Sequence, residues 1–237
     1  LEEFKVNKDD RKADDKNLRD IYNKIPESYD RANALISFFQ DVKWRTKLVT
    51  GVFQIEQPDK ILDVASGKGE LTYIIKQIKE TYVVMTDYSK NMLNMSIVDA
   101  EKVLASFNNL PFRDNSFNSV MSTFALHAAD NIENVISEMA RVSSGTIGVI
   151  AMGKSDNRFY RFISGFYLKY FQPYLAKFSG EKSKDYRFIY YIYKRLPLNS
   201  SIREITKKYM NVITFEEKAF GSVYMFIGTK KSGDITR

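Results

Sequence analysis

Cysteine is absent from this chain, and histidine occurs once, at His127. The first absence excludes disulfides, cysteine nucleophiles and thiolate metal sites, and it fits an intracellular protein. A single histidine leaves little to hold a transition metal, so no metal site is expected. No run of about 18 apolar residues occurs, so no helix is expected to span a membrane. The first twenty residues are dense in charge and lack the apolar segment of a secretory signal. A cytoplasmic location is therefore expected, with the inner face of the cell membrane as the place of any peripheral contact. The chain has no internal repeat, no low-complexity tract and no recognised nucleic-acid module, and no nucleic-acid partner is expected.

Apolar residues are plentiful: 44% of the 237 residues are hydrophobic, enough for the core of one domain with an elaboration. The formal net charge of +7 is unevenly placed. Residues 154–208 hold thirteen Lys and Arg against four Asp and Glu, an excess of nine that more than accounts for the whole. Between Phe159 and Tyr193 stand fourteen Phe and Tyr. Phe159, Phe162, Phe166, Tyr170 and Phe171 recur at helical spacing and could form a core face. Yet Tyr160, Tyr167 and Tyr174 extend the aromatics around the same helix, and Arg158, Arg161 and Lys169 interleave with them. That pattern fits a basic, amphipathic body lying in a lipid interface or lining a tunnel for an apolar tail, and it is the preferred reading.

Residues 1–17 read as a charged tail, and 18–237 as a single domain. Within that domain, 18–55 are expected to form N-terminal helices broken at Pro26, and 154–200 a basic, aromatic insert. Between them strands are expected at Ile61–Val64, Tyr82–Thr86, Lys102–Ala105, Phe117–Thr123 and Thr146–Met152. Helices are expected at Glu70–Lys79, Lys90–Ser96 and Ile132–Val142. This alternation predicts a parallel sheet wrapped on both faces. A helix near Ser201–Tyr209 and strands near Asn211–Phe215 and Val223–Thr229 follow the insert.

The strongest local signal is Ile61-Leu62-Asp63-Val64-Ala65-Ser66-Gly67-Lys68-Gly69-Glu70. An apolar strand ends by an acidic residue, turns through small residues and glycines, and enters a helical pattern. Glycines there remove the Cβ atoms that would keep a nucleoside cofactor off the backbone. The next strand ends at Asp87, about twenty residues on, where a carboxylate can accept hydrogen bonds from ribose hydroxyls. Dinucleotide enzymes and S-adenosylmethionine (SAM) methyltransferases share this pairing; the glycine loop alone would equally suit an ordinary strand–turn–helix, and Asp87 in register favours nucleoside binding. The loop lacks the third glycine that bares a helix N-terminus to a pyrophosphate. SAM has no phosphate, and Asp63 suits its cationic methionine end, so SAM is the expected cofactor.

Residues Ile21 to Val49 include Tyr29-Asp30, Asn33, Ser37-Phe38, Asp41 and Trp44-Arg45. This stretch resembles the N-terminal signature of the menaquinone and ubiquinone biosynthesis C-methyltransferases. Further blocks are similar to that family's: Asp87-Tyr88-Ser89 with Met92-Leu93, Leu110-Pro111-Phe112 with Asp114 and Phe117, and Glu138-Met139-Ala140-Arg141-Val142. Tyr186, Phe188, Ile189 and Pro197 match it within the insert. The resemblance implies a Rossmann-like class I SAM methyltransferase fold: a mostly parallel seven-stranded sheet with helices on both faces, an N-terminal helical cover and a helical insert after strand 5. It implies a cofactor site of Asp63, Ala65, Ser66, Gly67, Gly69, Asp87, Tyr88, Met92, Ser106, Phe107 and Thr123. The chain departs from the family at His127-Ala128, where an Arg-Asn pair is usual, and at Ser106-Phe107-Asn108, which lacks the usual carboxylate for the adenine amino group.

The resemblance further implies methylation of a polyprenyl quinol, demethylmenaquinol-like, in respiratory quinone biosynthesis. The expected partners are this lipophilic substrate, a peripheral membrane surface and a second copy of the chain. A small-molecule O- or N-methyltransferase and a non-enzymatic SAM-binding subunit are the competing readings. Two residues are catalytic candidates. The Tyr29 hydroxyl could orient a quinol oxygen, or simply anchor its helix. His127 follows the fourth strand at the ligand-binding end of the sheet, where it could take a proton or merely bond to backbone.

Overall fold

The computed structural model describes residues 40–171 and 187–231. The tail expected over residues 1–17 lies outside them, as do the first N-terminal helices with Tyr29, and Tyr174 and Tyr186 of the insert. Seven strands form one sheet: β1 (Lys60–Val64), β2 (Tyr82–Asp87), β3 (Glu101–Leu104), β4 (Phe117–Thr123), β5 (Ser143–Met152), β6 (Met210–Lys218) and β7 (Val223–Lys230). Their order is β3-β2-β1-β4-β5-β7-β6. The pairs among β1 to β5 are parallel, and β7 runs antiparallel to both of its neighbours. β6 extends three residues beyond Phe215 because its polar end keeps pairing, through Glu216 with Met225 and Lys218 with Val223. Likewise β5 begins at Ser143, which pairs with Phe117.

Successive strand residues point to opposite faces, and both faces are covered. Helices α1 (Gln40–Ile55) and α2 (Glu70–Ile78) cover one face, where Leu48, Val49, Val52, Leu71 and Ile75 pack on Ile61, Met121, Ile150 and Ile227. After β2 comes the short α3 (Lys90–Met95), capped by Ser89, whose hydroxyl accepts the Met92 N–H at 3.3 Å. Helix α4 (Ile132–Val142) covers the other face. Its apolar residues at 132, 135, 136, 139 and 140 form one helical stripe against Leu62, Val120 and Ile147. Asn131 caps it by accepting the Asn134 N–H at 3.1 Å.

Two of the resembling blocks prove to hold each other. Arg141 of α4 pairs with Glu138 at 2.7 Å and Asp114 at 2.8 Å, and donates to the carbonyls of Leu110 and Phe112. The E-M-x-R-V and L-P-F-x-D stretches thus form a clamp that fixes the loop before β4.

The insert leaves β5 as α5 (Arg158–Phe166), continues as a π-helical turn over Tyr167–Phe171, and returns through α6 (Arg187–Arg195) to α7 (Asn199–Tyr209). The core reading of its aromatic stripe fails. Phe159, Phe162, Phe166, Tyr170 and Phe171 are all exposed, Phe162 by 70%. The buried side of this stretch is narrow, consisting of Ser164 and Leu168, with Tyr193 of α6 in the same core. Among the described residues no helix is long and apolar enough to cross a membrane.

Candidate active site

The site is built where the carboxyl ends of β1, β2 and β4 meet. After β1 the chain enters the left-handed region at Ala65 (φ 54°) and again at Gly67 (φ 58°) and Gly69 (φ 92°). The Ser66 N–H donates to the Thr86 carbonyl at 2.8 Å, and the Gly69 N–H to the Ser66 carbonyl at 2.9 Å. The two glycines differ in purpose. A Cβ on Gly69 would stand 2.9 Å from Met85 Cε and 3.0 Å from Ser96 Oγ, so this residue seats the start of α2 against β2. A Cβ on Gly67 would meet only the Glu70 carboxylate, at 3.8 Å, and so opens on free space.

Asp87, at the end of β2, gathers the loop. One of its carboxylate oxygens accepts the Gly67 N–H and the other the Ser89 N–H, each at 2.8 Å. Burial raises its pKa, and these amides pull it back. Tyr88 follows, half-buried, and Met92 is buried in α3. The Ala105 N–H donates to the Asp87 carbonyl at 3.0 Å, which brings the loop after β3 alongside. There the Ser106 hydroxyl accepts the Asn108 N–H at 3.2 Å, and Phe107 rests half-buried on the core.

Asp63 is buried at 1% exposure. Its Oδ2 accepts the Thr72 hydroxyl at 2.7 Å, while Oδ1 is buried without a hydrogen-bond partner. Burial is the main cause that pushes its pKa up to about 7; Thr72 lowers it, Glu70 raises it and Arg45 lowers it. The Ser66 hydroxyl is likewise buried without a partner. Thr123, the last residue of β4, accepts the Arg45 Nε–H of α1 at 3.2 Å. The sequence reading marked Arg45 only as part of a signature and missed Thr72 altogether.

The remaining candidate, His127, lies in a single turn of 3-10 helix, Leu126–Ala128, just past β4. Its Nδ1 is buried with no hydrogen-bond partner, so the backbone-bonded reading does not hold for that atom. Burial pushes its pKa down to about 4. The ring borders a cleft of about 240 Å³ lined also by Asp130, Ile132, Ile192, Arg195 and Leu196. The insert therefore forms one wall. The opposite wall is the turn after β4 with the start of α4. Arg195 stands 3.5 Å from Asp130 across this cleft.

The profile of the ubiE/COQ5 methyltransferase family matches residues 10–230. The chain belongs to that family. It is a SAM-dependent methyltransferase. It is similar to the demethylmenaquinone methyltransferase of Thermotoga maritima, being 28% identical over 216 residues that cover 88% of this chain and 93% of the relative. It is 26% identical over 226 residues to that of Bacillus cereus, covering 90% and 95%. Two solved structures show the class I SAM methyltransferase fold. One is magnesium protoporphyrin IX methyltransferase from Synechocystis PCC 6803 with bound SAM (TM-score 0.61, 13% identity, 93% of this chain and 99% of that one). The other is a SAM-dependent methyltransferase from Thermotoga maritima (TM-score 0.60, 15% identity, 90% and 100%).

The residues of this ubiE/COQ5 methyltransferase fit SAM. Gly67 leaves room beside the backbone, Asp87 presents a carboxylate at the end of β2, and the unpartnered Asp63 Oδ1 offers an anionic acceptor to a cation. SAM supplies a methyl group on a sulfonium, and the protein's share is to align it with the acceptor and keep water away.

Proposed function

We propose that this methyltransferase methylates a ring carbon of a polyprenyl quinol of the demethylmenaquinol type. The observation that carries the reading is the likeness to curated demethylmenaquinone methyltransferases over more than nine-tenths of their length. A quinol carbon becomes nucleophilic as its neighbouring hydroxyl loses or shares its proton; the carbon then takes the methyl group and releases its own ring proton. His127 is the residue we assign to that hydroxyl, and Tyr29, on the strength of the N-terminal signature, to orienting the ring. Asp63, Ala65, Ser66, Gly67, Gly69, Asp87, Tyr88, Met92, Ser106, Phe107 and Thr123 form the proposed cofactor side. Incubation with methyl-labelled SAM and a panel of demethylquinols tests the reading. Label on a ring carbon is expected; label on oxygen would mean an O-methyltransferase, and SAM binding without turnover on any quinol would defeat the assignment.

The substrate's tail also gives a reason to work at a lipid surface. The exposed Phe159, Phe162, Phe166 and Phe171, with the excess of nine positive charges over residues 154–208, support that proposal. Vesicle binding should then be stronger to anionic than to neutral lipid and should weaken with salt, since charges are screened over about 10 Å at 0.1 M. Equal binding to both lipids, or none, would refute it.

A further inference from the structure

The turn that joins β6 to β7 runs through three left-handed residues, Ala219 (φ 46°), Phe220 (φ 56°) and Gly221 (φ 85°). Glycine takes that conformation freely, and a bulky side chain seldom does. Tight packing would offset the strain at Phe220, but this residue is 69% exposed. Its ring centre lies 5.2 Å from that of Tyr160 in α5, and Tyr160 in turn lies 6.1 Å from Phe159, which is also exposed. A turn of this shape is served best by Gly, Asn or Asp. A phenylalanine held out there has a use on its outer side.

The turn is tied to the root of the insert. Asn199, which opens α7 and is fully buried, has a side-chain amide that donates and accepts at once. Its Nδ2 donates to the Gly221 carbonyl at 2.9 Å, and its Oδ1 accepts the Lys154 N–H at 2.9 Å. The Gly153 N–H donates to the Ser222 carbonyl at 2.8 Å. A Cβ on Gly221 would stand 2.7 Å from Ser155 Oγ, so the turn sits directly on the start of the insert. Met152, the last residue of β5, pairs with Val223, the first of β7. The turn and the root of α5 therefore lie at the carboxyl rim of the parallel strands, the rim at which the Gly67 loop and Asp87 stand. The charge of the insert selects what covers this face. Two copies of the chain meeting here would bring together like excesses of nine positive charges, whereas an anionic bilayer brings the opposite sign.

We infer that Phe220 on the β6–β7 turn is a second lipid-contact point, which with Phe159 and Tyr160 turns the carboxyl rim of the sheet towards an anionic bilayer. The inference rests on the lipid-surface reading of the insert, and adds to it a residue outside the insert and the facing of the molecule. A lipid-borne acceptor then meets the end of the sheet that carries the site.

Sedimentation of the full chain with phosphatidylcholine–phosphatidylglycerol vesicles tests this. Withdrawing one exposed Phe from a lipid interface corresponds to on the order of ten-fold in partitioning. Phe220→Ser should lower partitioning by that margin, and Phe220→Trp should keep it, since an indole favours the same interface. Phe220→Gly should part binding from folding: partitioning should fall as in Phe220→Ser, while the melting temperature holds or rises because glycine relieves the left-handed strain. Ile97→Ser, at an exposed apolar side chain leading into the far edge strand β3, should change nothing. An equal loss in Ile97→Ser, the mark of unspecific apolar adhesion, overturns the inference. So does unchanged partitioning in Phe220→Ser and Phe220→Gly; if Phe162→Ser weakens binding in the same assay, the insert's lipid contact stands without the turn. No binding by the wild type would defeat the lipid reading itself and the inference with it. A Phe220→Ser chain that loses self-association in gel filtration yet partitions normally would make the turn an interface between copies, and would also overturn it.

Discussion

Gly67 donates its backbone N–H to Oδ2 of Asp87 at 2.8 Å, tying the turn after β1 to the end of β2 across twenty residues. The carboxylate expected to meet a ribose is therefore also the anchor of the loop proposed to admit the cofactor. Asp87→Ala should act twice. Losing the acceptor for two partly buried amides should cost about 1–3 kcal/mol of stability, read by denaturation. SAM affinity should fall at least as far as one charge-assisted hydrogen bond, about 1.5–3 kcal/mol. Unaltered affinity by calorimetry would remove Asp87 from the cofactor site.

Gly69 and Gly67 should separate folding from binding. Gly69→Ala places a Cβ 2.9 Å from Met85 Cε at φ 92°, so stability should drop by more than about 2 kcal/mol through strain and overpacking. Gly67→Ala meets open space and carries only the left-handed backbone penalty of about 1 kcal/mol. Its main effect should fall on SAM affinity, which Gly67→Val should lower further. A Gly67 variant with normal affinity but a large stability loss would reverse these assignments.

The sheet was legible because its strands are short apolar runs bounded by Asp, Gly and Asn, and because the helices between them keep a 3.6-residue stripe, as in Ile132, Val135, Ile136 and Met139. The positions of Asp63 and Asp87 followed from strand ends. What stayed hidden depended on tertiary neighbours. Thr72 meets Asp63 and Arg45 meets Thr123 only because helices settle on the sheet, and no local pattern marks a partner 78 residues away. The ends of β5 and β6 were missed because their residues, Ser143 and Ser144 in the one and Glu216 to Lys218 in the other, are polar and carry no apolar pattern. The aromatic stripe of α5 had helical spacing, but spacing alone does not say whether a stripe faces core or solvent.

Asp63 should leave a mark on pH dependence. Its folded pKa, about 7, lies above the ordinary carboxylate value of 3.8, mainly through burial. The folded state thus holds a proton that the unfolded chain releases. Cofactor-free stability should be highest below about pH 4 as far as this group is concerned, and its contribution should be lost as pH rises through 7. Asp63→Asn, which stays neutral, should be more stable than wild type at pH 8, by on the order of 1–3 kcal/mol, and closer to it at pH 4. SAM's ammonium favours the charged carboxylate, so binding should release a proton and tighten as pH rises towards 7. Calorimetry in buffers of different ionisation enthalpy measures that proton, and no proton release would contradict the pairing.

His127 has the opposite displacement and a different consequence. Its pKa is pushed down to about 4 by burial, so the ring is neutral at pH 7. The folded chain should lose stability as pH falls from the ordinary value of 6.5 towards 4, because the unfolded chain takes up the proton first. The same displacement limits the chemistry. Moving a phenolic proton, pKa about 10, fully onto such a ring is uphill by about 8 kcal/mol. An imidazole in this setting serves better as a hydrogen-bond acceptor that shares the quinol proton than as a base that keeps it. With saturating SAM, His127→Ala should therefore lower turnover by about tenfold, the worth of one hydrogen bond. His127→Gln, which still accepts a hydrogen bond but does not titrate, should keep most of the activity. The wild-type kcat profile should be flat through pH 6.5. A limb near 6.5 that His127→Gln abolishes would make the histidine a true base, and unchanged turnover in His127→Ala would take it out of the reaction.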